Sequence, residues 1–163
     1  MKKPKTRILI VFSASVLLIF AFSDTLFSHC EIPCGIYDDQ MRLDMMSEHI
    51  KTIEKSITLI QDLSSQDKKN YNQIVRWIAN KEKHADLLSD IATQYFMKQR
   101  IKPPEKSEGK AYDEYVQKLT LLHRIMVYSM KCKQTTDMEN VEKLRAHLQE
   151  FRSVYLGASS NKN

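Results

Sequence analysis

The chain has 163 residues, 42% hydrophobic and 28% charged, which is enough for one folded domain and too apolar for a disordered chain. Three glycines and four prolines leave little turn chemistry for a sheet and favour long helices with few connections. The net charge of +5 argues against a nucleic-acid binder by its distribution: residues 1–28 hold four cations against Asp24, and the remainder, at about +2, mixes both signs. Its densest basic patch, Lys98, Arg100 and Lys102, reads as a solvated helix end.

In chain order, Lys2, Lys3, Lys5 and Arg7 lead into a 15-residue apolar run, Ile8 to Phe22. A basic start followed by such a run is the order of a secretory leader. The run is short of the roughly 20 residues that a membrane-spanning helix needs. Residues 1–28 are therefore expected to be removed on maturation, with no stable membrane anchor afterwards. Cleavage after Ser23 and cleavage after Ser28 both suit the flanking residues. Lipidation of Cys30 is disfavoured because it asks for a small residue at His29.

Next comes His29-Cys30-Glu31-Ile32-Pro33-Cys34-Gly35-Ile36-Tyr37, with two of the three cysteines of the chain. In an oxidising compartment, Cys30 and Cys34 could close a small disulfide loop. A zinc site is less well matched, since His29, Cys30 and Cys34 offer three side chains where a structural site takes four ligands. A cut after Ser28 adds donors. The freed amino group of His29, the Cys30 amide and the Cys30 thiolate can chelate a metal in fused rings, with Cys34 supplying a second thiolate. Two nitrogens and two sulfurs in a plane suit Ni(II) or Cu(II), and such donors stabilise the oxidised ion of a redox couple.

From Asp38 onward, apolar residues recur at steps of three and four. Leu43, Met46, Ile50, Ile53, Ile57, Ile60 and Leu63 predict a first helix over 39–63, with Ser64 and Ser65 as break and N-cap. Tyr71, Ile74, Ile78, Ala85, Leu88, Ala92 and Tyr95 predict a second over 67–100, thickened by Trp77 and interrupted by Lys81. Lys102-Pro103-Pro104 must end it, and residues 102–110 read as a loop. Tyr112, Tyr115, Leu119, Leu122 and Met126 mark a third helix over 110–132. Thr135, Thr136 and Asp137 punctuate the chain before a fourth over 137–156, which carries Val141, Leu144, Leu148, Phe151 and Tyr155 and stops at Gly157. Four one-sided helices bury their stripes best against each other, so the expected fold is all-α, an antiparallel four-helix bundle over 38–157 with an N-terminal metal-binding hook and a polar tail over 158–163. His49, His84, His123 and His147 form no Glu-x-x-His pair, which disfavours a di-iron carboxylate centre.

The stretch His29 to Tyr37 resembles the nickel hook of the nickel-containing superoxide dismutases, His-Cys-x-x-Pro-Cys-Gly-x-Tyr, and matches every fixed position of it. Ile36-Tyr37-Asp38-Asp39-Gln40-Met41-Arg42 and Gln99-Arg100-Ile101-Lys102-Pro103 are also similar to that family. The resemblance implies dismutation of superoxide by a nickel ion, one per subunit, cycling between Ni(II) and Ni(III). The His29 amino group, the Cys30 amide and the Cys30 and Cys34 thiolates would hold nickel in a plane, with the His29 imidazole axial. Pro33 would follow a cis bond that bends the hook, and Glu31 would help fix it through its backbone amide. Tyr37 would stand over the open face. A carboxylate beside the imidazole, Asp44 or Glu48, and a polar role for Arg76 would follow, while Cys132 would be a free thiol.

The resemblance also implies a homohexamer and a processing protease. The leader points to an exported enzyme, periplasmic, extracellular or in an equivalent compartment, where many relatives are matured in the cytoplasm. The competing reading is an exported, non-enzymatic helical binding protein with a Cys30–Cys34 disulfide. It is indifferent to where the leader is cut, whereas the enzyme requires a free His29.

Overall fold

The computed structural model describes residues 37–159, with side chains through Gly157. The leader and hook expected over 1–36 lie outside the described residues. Four helices follow: α1 (Asp39–Ser65), α2 (Tyr71–Asp90), continued without a break by a π-helical segment (Ile91–Arg100), then α3 (Lys110–Gln134) and α4 (Met138–Ser159). Each packs against two others, α1 on α2 and α4, and α3 on α2 and α4, which makes an antiparallel four-helix bundle.

The periodic stripe of α1 is the core. Leu43, Met46, Ile50, Ile53, Ile57 and Ile60 are all buried, facing Ala85, Leu88, Leu122, Ile125, Leu144 and Phe151. Asp38 starts α1, its Oδ1 accepting from the Met41 amide at 2.9 Å. The first break falls later than Ser64 and Ser65. α1 runs through both, and Asn70 caps α2 by accepting from the Gln73 amide at 3.2 Å. The asparagine wins because its carbonyl oxygen reaches the free amide of the next helix, whereas Ser65 turns its hydroxyl back onto Asp62 O.

Two members of the α2 stripe do not reach the core: Tyr71 is 70% exposed and Ile78 37% exposed. The residue that seemed to interrupt it, Lys81, is buried instead, and its Nζ donates to Lys133 O at 2.7 Å and Thr135 O at 3.0 Å. At the end of the second helix the winding loosens. The Ile101 amide bonds Phe96 O, five residues back, at 2.9 Å. This segment turns the consecutive Tyr95 and Phe96 both into the core, where Phe96 meets the rings of Tyr95, Phe151 and Tyr155 edge-on at 5.0–5.2 Å.

Residues 101–109 form the loop before α3. Gly109 closes it at φ 85°, a conformation that favours glycine, and its carbonyl accepts from the Tyr112 and Asp113 amides. Asp137 opens α4 by accepting from the Glu139 amide at 3.0 Å. Gly157 does not stop α4, which continues to Ser159.

Candidate metal centre

The three residues whose side chains would hold a metal, His29, Cys30 and Cys34, lie outside the described residues, as do Glu31 and Pro33. Their donor set fits a square-planar nickel ion by its chemistry: two soft thiolates, and two strong nitrogen donors once the amino group is free. The bundle offers no rival of comparable density. Among the described residues no group of three or more His, Cys, Asp or Glu side chains comes together.

Tyr37 is the first described residue and is 44% exposed. The chain passes from it into the Asp38 cap and then into Asp39, the most heavily bonded carboxylate of the bundle. Asp39 Oδ1 accepts from Tyr95 Oη at 2.6 Å and Arg100 Nε at 2.8 Å. Its Oδ2 accepts from Arg100 Nη2 at 2.6 Å and Tyr155 Oη at 2.9 Å. One carboxylate thus ties the first turn of α1 to the π-helical segment and to the last turns of α4. Burial would raise the pKa of Asp39, but the hydrogen bonds from Arg100, Tyr95 and Tyr155 outweigh it and hold the group below its usual value of 3.8. Burial and the hydrogen bond to Asp39 push the Tyr155 hydroxyl up to about 12 and raise that of Tyr95 as well, so both stay protonated donors.

One turn further along α1, the Arg42 guanidinium lies over the Tyr95 ring, 5.2 Å from its centroid. Its Nε is buried with no hydrogen-bond partner among the described residues. Beside the cluster, the 101–109 loop and α3 enclose a cleft of about 450 Å³, lined by Arg100, Lys102, Lys118, Pro103, Tyr115 and Tyr155. Of the basic patch read from the sequence, Arg100 is therefore an ion-pair partner rather than a solvated charge.

The other expected site residues are dispersed. Asp44 accepts from Arg152 at 2.7 Å and from Gln40, contacts that lower its pKa and engage it within the bundle. Glu48 and Arg76 are exposed on α1 and α2. Cys132 is a free, buried thiol, and burial pushes its pKa up to about 11, which makes it inert. Four histidines placed one to a helix gave no sign of a pair, yet His49 and His84 bring their Nδ1 atoms to 2.9 Å across α1 and α2. The two residues lie nearly equidistant from the turn between those helices, and antiparallel register is the signal that predicts the encounter.

Comparison with known families matches the model for nickel-containing superoxide dismutase to residues 24–158. No curated protein and no solved structure matches the chain.

Proposed function

Because the chain belongs to the nickel-containing superoxide dismutase family, we propose that residues 29–37 are its metal-binding and catalytic segment. The enzyme is an oxidoreductase that converts superoxide to dioxygen and hydrogen peroxide with a nickel cofactor. The observation that carries the assignment is the extent of the match, which starts five residues before His29 and takes in the whole hook and the whole bundle core.

His29 would hold the ion through its amino group and its imidazole. Cys30 supplies its amide nitrogen and thiolate, and Cys34 a second thiolate. The chemistry supplied by nickel at such a site is a one-electron Ni(II)/Ni(III) couple, which allows one superoxide to be oxidised and another reduced with the uptake of two protons. The chain's own residues do the rest. Tyr37 restricts access to small molecules and orders water through its hydroxyl. Asp38 starts the bundle by capping α1, and Asp39 pins the first turn of that helix. Exposed Lys102 and the half-buried Lys118 outnumber Glu114 in the cleft beside the Asp39 cluster and favour an anion there.

The leader over 1–28 is an export signal, and a protease cuts it before His29 so that the amino group is free. The subunits assemble as a homohexamer. Association between copies is supported by apolar side chains left in solvent on α2 and α3, with Tyr71 70%, Val75 62% and Met130 51% exposed.

Native mass spectrometry of the protein from its own host tests the set: a chain starting at His29, one nickel per subunit, sixfold. Adding one residue before His29, or His29→Ala, is expected to lower activity by about 10–100-fold or more while leaving bundle stability unchanged. An extended chain that dismutes superoxide at the full rate would rule out this ligand set.

A further inference from the structure

Midway along the α1–α2 hairpin, two rings face each other with nothing assigned to them. His49 and His84 hold their Nδ1 atoms 2.9 Å apart, with ring centroids 5.0 Å apart and planes inclined by 60°. Both are half-buried, one on each helix. The nearest charges are Glu48, beside His49 on α1, and Lys83, beside His84 on α2. Burial lowers the pKa of both rings, aided at His49 by His84 and at His84 by Lys83, so the pair is neutral near pH 7.

Two neutral imidazoles in this position have two ways to avoid a clash of lone pairs. Either one ring carries its proton on Nδ1 and donates to the other, or both carry it on Nε2 and turn their lone pairs on a shared cation. Metal–imidazole bonds of about 2.1 Å place two nitrogens about 2.9–3.0 Å apart at right angles and about 3.4 Å apart in a tetrahedron. The observed separation matches the right-angled case, the geometry of square-planar and octahedral ions.

We propose that His49 and His84 form a second metal site, a two-histidine clamp for a borderline divalent cation such as Ni(II), with water completing the coordination. The cation bridges α1 and α2 through ligands 35 residues apart in sequence, so it stabilises the folded hairpin over the open one. The clamp is independent of the hook, and the family enters only in choosing nickel as the ion to test.

The test uses the chain from residue 29 with H29A, C30S and C34S, which removes the hook's donors, so failure of the hook reading does not touch the outcome. Nickel chloride alone is the probe. Expected are one Ni(II) per chain, a rise in melting temperature, and selective paramagnetic broadening of the His49 and His84 ring signals, with those of His123 and His147 left sharp. His84→Gln on this background should weaken nickel binding at least about tenfold and abolish the melting shift. Sharp His49 and His84 signals at saturating nickel would overturn the site. Equal broadening of all four histidines, or undiminished binding by a folded H84Q chain, would do so too. If the variant fails to fold, the ring signals of the unsubstituted pair decide.

Discussion

The two ends of the bundle each engage one charged side chain, half-buried Asp39 at one and buried Lys81 at the other, and they hold it in different ways. At the end where the hook joins, Asp39 is gripped by side chains alone, with four bonds from Tyr95, Arg100 and Tyr155 arriving from two other segments. At the far end, Lys81 is 3% exposed and is gripped by backbone alone, donating to carbonyls of the last turn of α3 and the residue after it. A cation at those carbonyls uses the negative end of the helix dipole and caps a turn. The far-end arrangement closes a helix. The hook-end arrangement ties the first turn of α1 to the π-helical segment and to α4. A hook made of nine residues gains from such a fixed root, because its donors must be held to within fractions of an ångström to serve a metal.

Breaking the carboxylate hub should have the largest effect. Asp39→Asn keeps the shape but removes the charge, turns a donor toward Arg100 or the tyrosines, and leaves a guanidinium that is only 29% exposed without its counter-ion. A loss of about 2–3 kcal/mol in urea unfolding is expected, reduced from the fully buried case by that residual exposure. Activity per bound nickel should fall severalfold. Lys81→Met at the other end should cost about 1–2 kcal/mol, since two carbonyls lose their donor but the buried charge goes with it. Its activity per nickel should match that of the unaltered protein. Equal activity losses from the two variants would dissolve the distinction between the ends.

Titration separates the regions again. The folded pKa values of His49, His84 and, on α4, His147 lie below 6.5, so the unfolded chain binds more protons there. Their contribution is complete above pH 6.5 and is lost as pH falls below it. Asp39 has its folded pKa below 3.8, so its contribution is complete above that value and is lost as pH falls through the folded pKa, together with that of Asp44. Melting temperature against pH should therefore decline in two stages, the first at the middle of the bundle and the second at the hook end. His84→Gln should reduce the first stage, leaving the share of His147, and Asp39→Asn the second, leaving that of Asp44. A single stage unaffected by either substitution would contradict the assignment.

Much of this was legible in the residues. Steps of three and four gave four helices and most of the core, and the family was readable from the stretch His29 to Tyr37 because its motif is local. What escaped depended on register between helices. Asp39 reads as an ordinary acidic residue in a first turn, favourable to the dipole, and nothing local ties it to Arg100 or Tyr155. Lys81 broke an apolar stripe because its partners are carbonyls at the end of another helix, which carry no sequence signature. The π-helical winding after Asp90 was hidden for a related reason: it accompanies the packing of Phe96 among three rings, two of them on α4.

The smallest expected effect probes whether the hub acts as one unit. Tyr95→Phe and Tyr155→Phe each delete one hydroxyl that donates to a different oxygen of Asp39. Each should cost about 1 kcal/mol, because a charge-assisted bond is lost but Arg100 still neutralises the carboxylate. The two donors share one acceptor group, so the double variant should differ from the sum of the singles by at least about 0.5 kcal/mol. In an Asp39→Asn background both replacements should become nearly neutral, since the charge they serve is gone. Strict additivity in a double-mutant cycle would mean that the hydroxyls act separately. The hook end would then be held by independent bonds rather than by one unit, with no more orienting power than the capped carbonyls around Lys81.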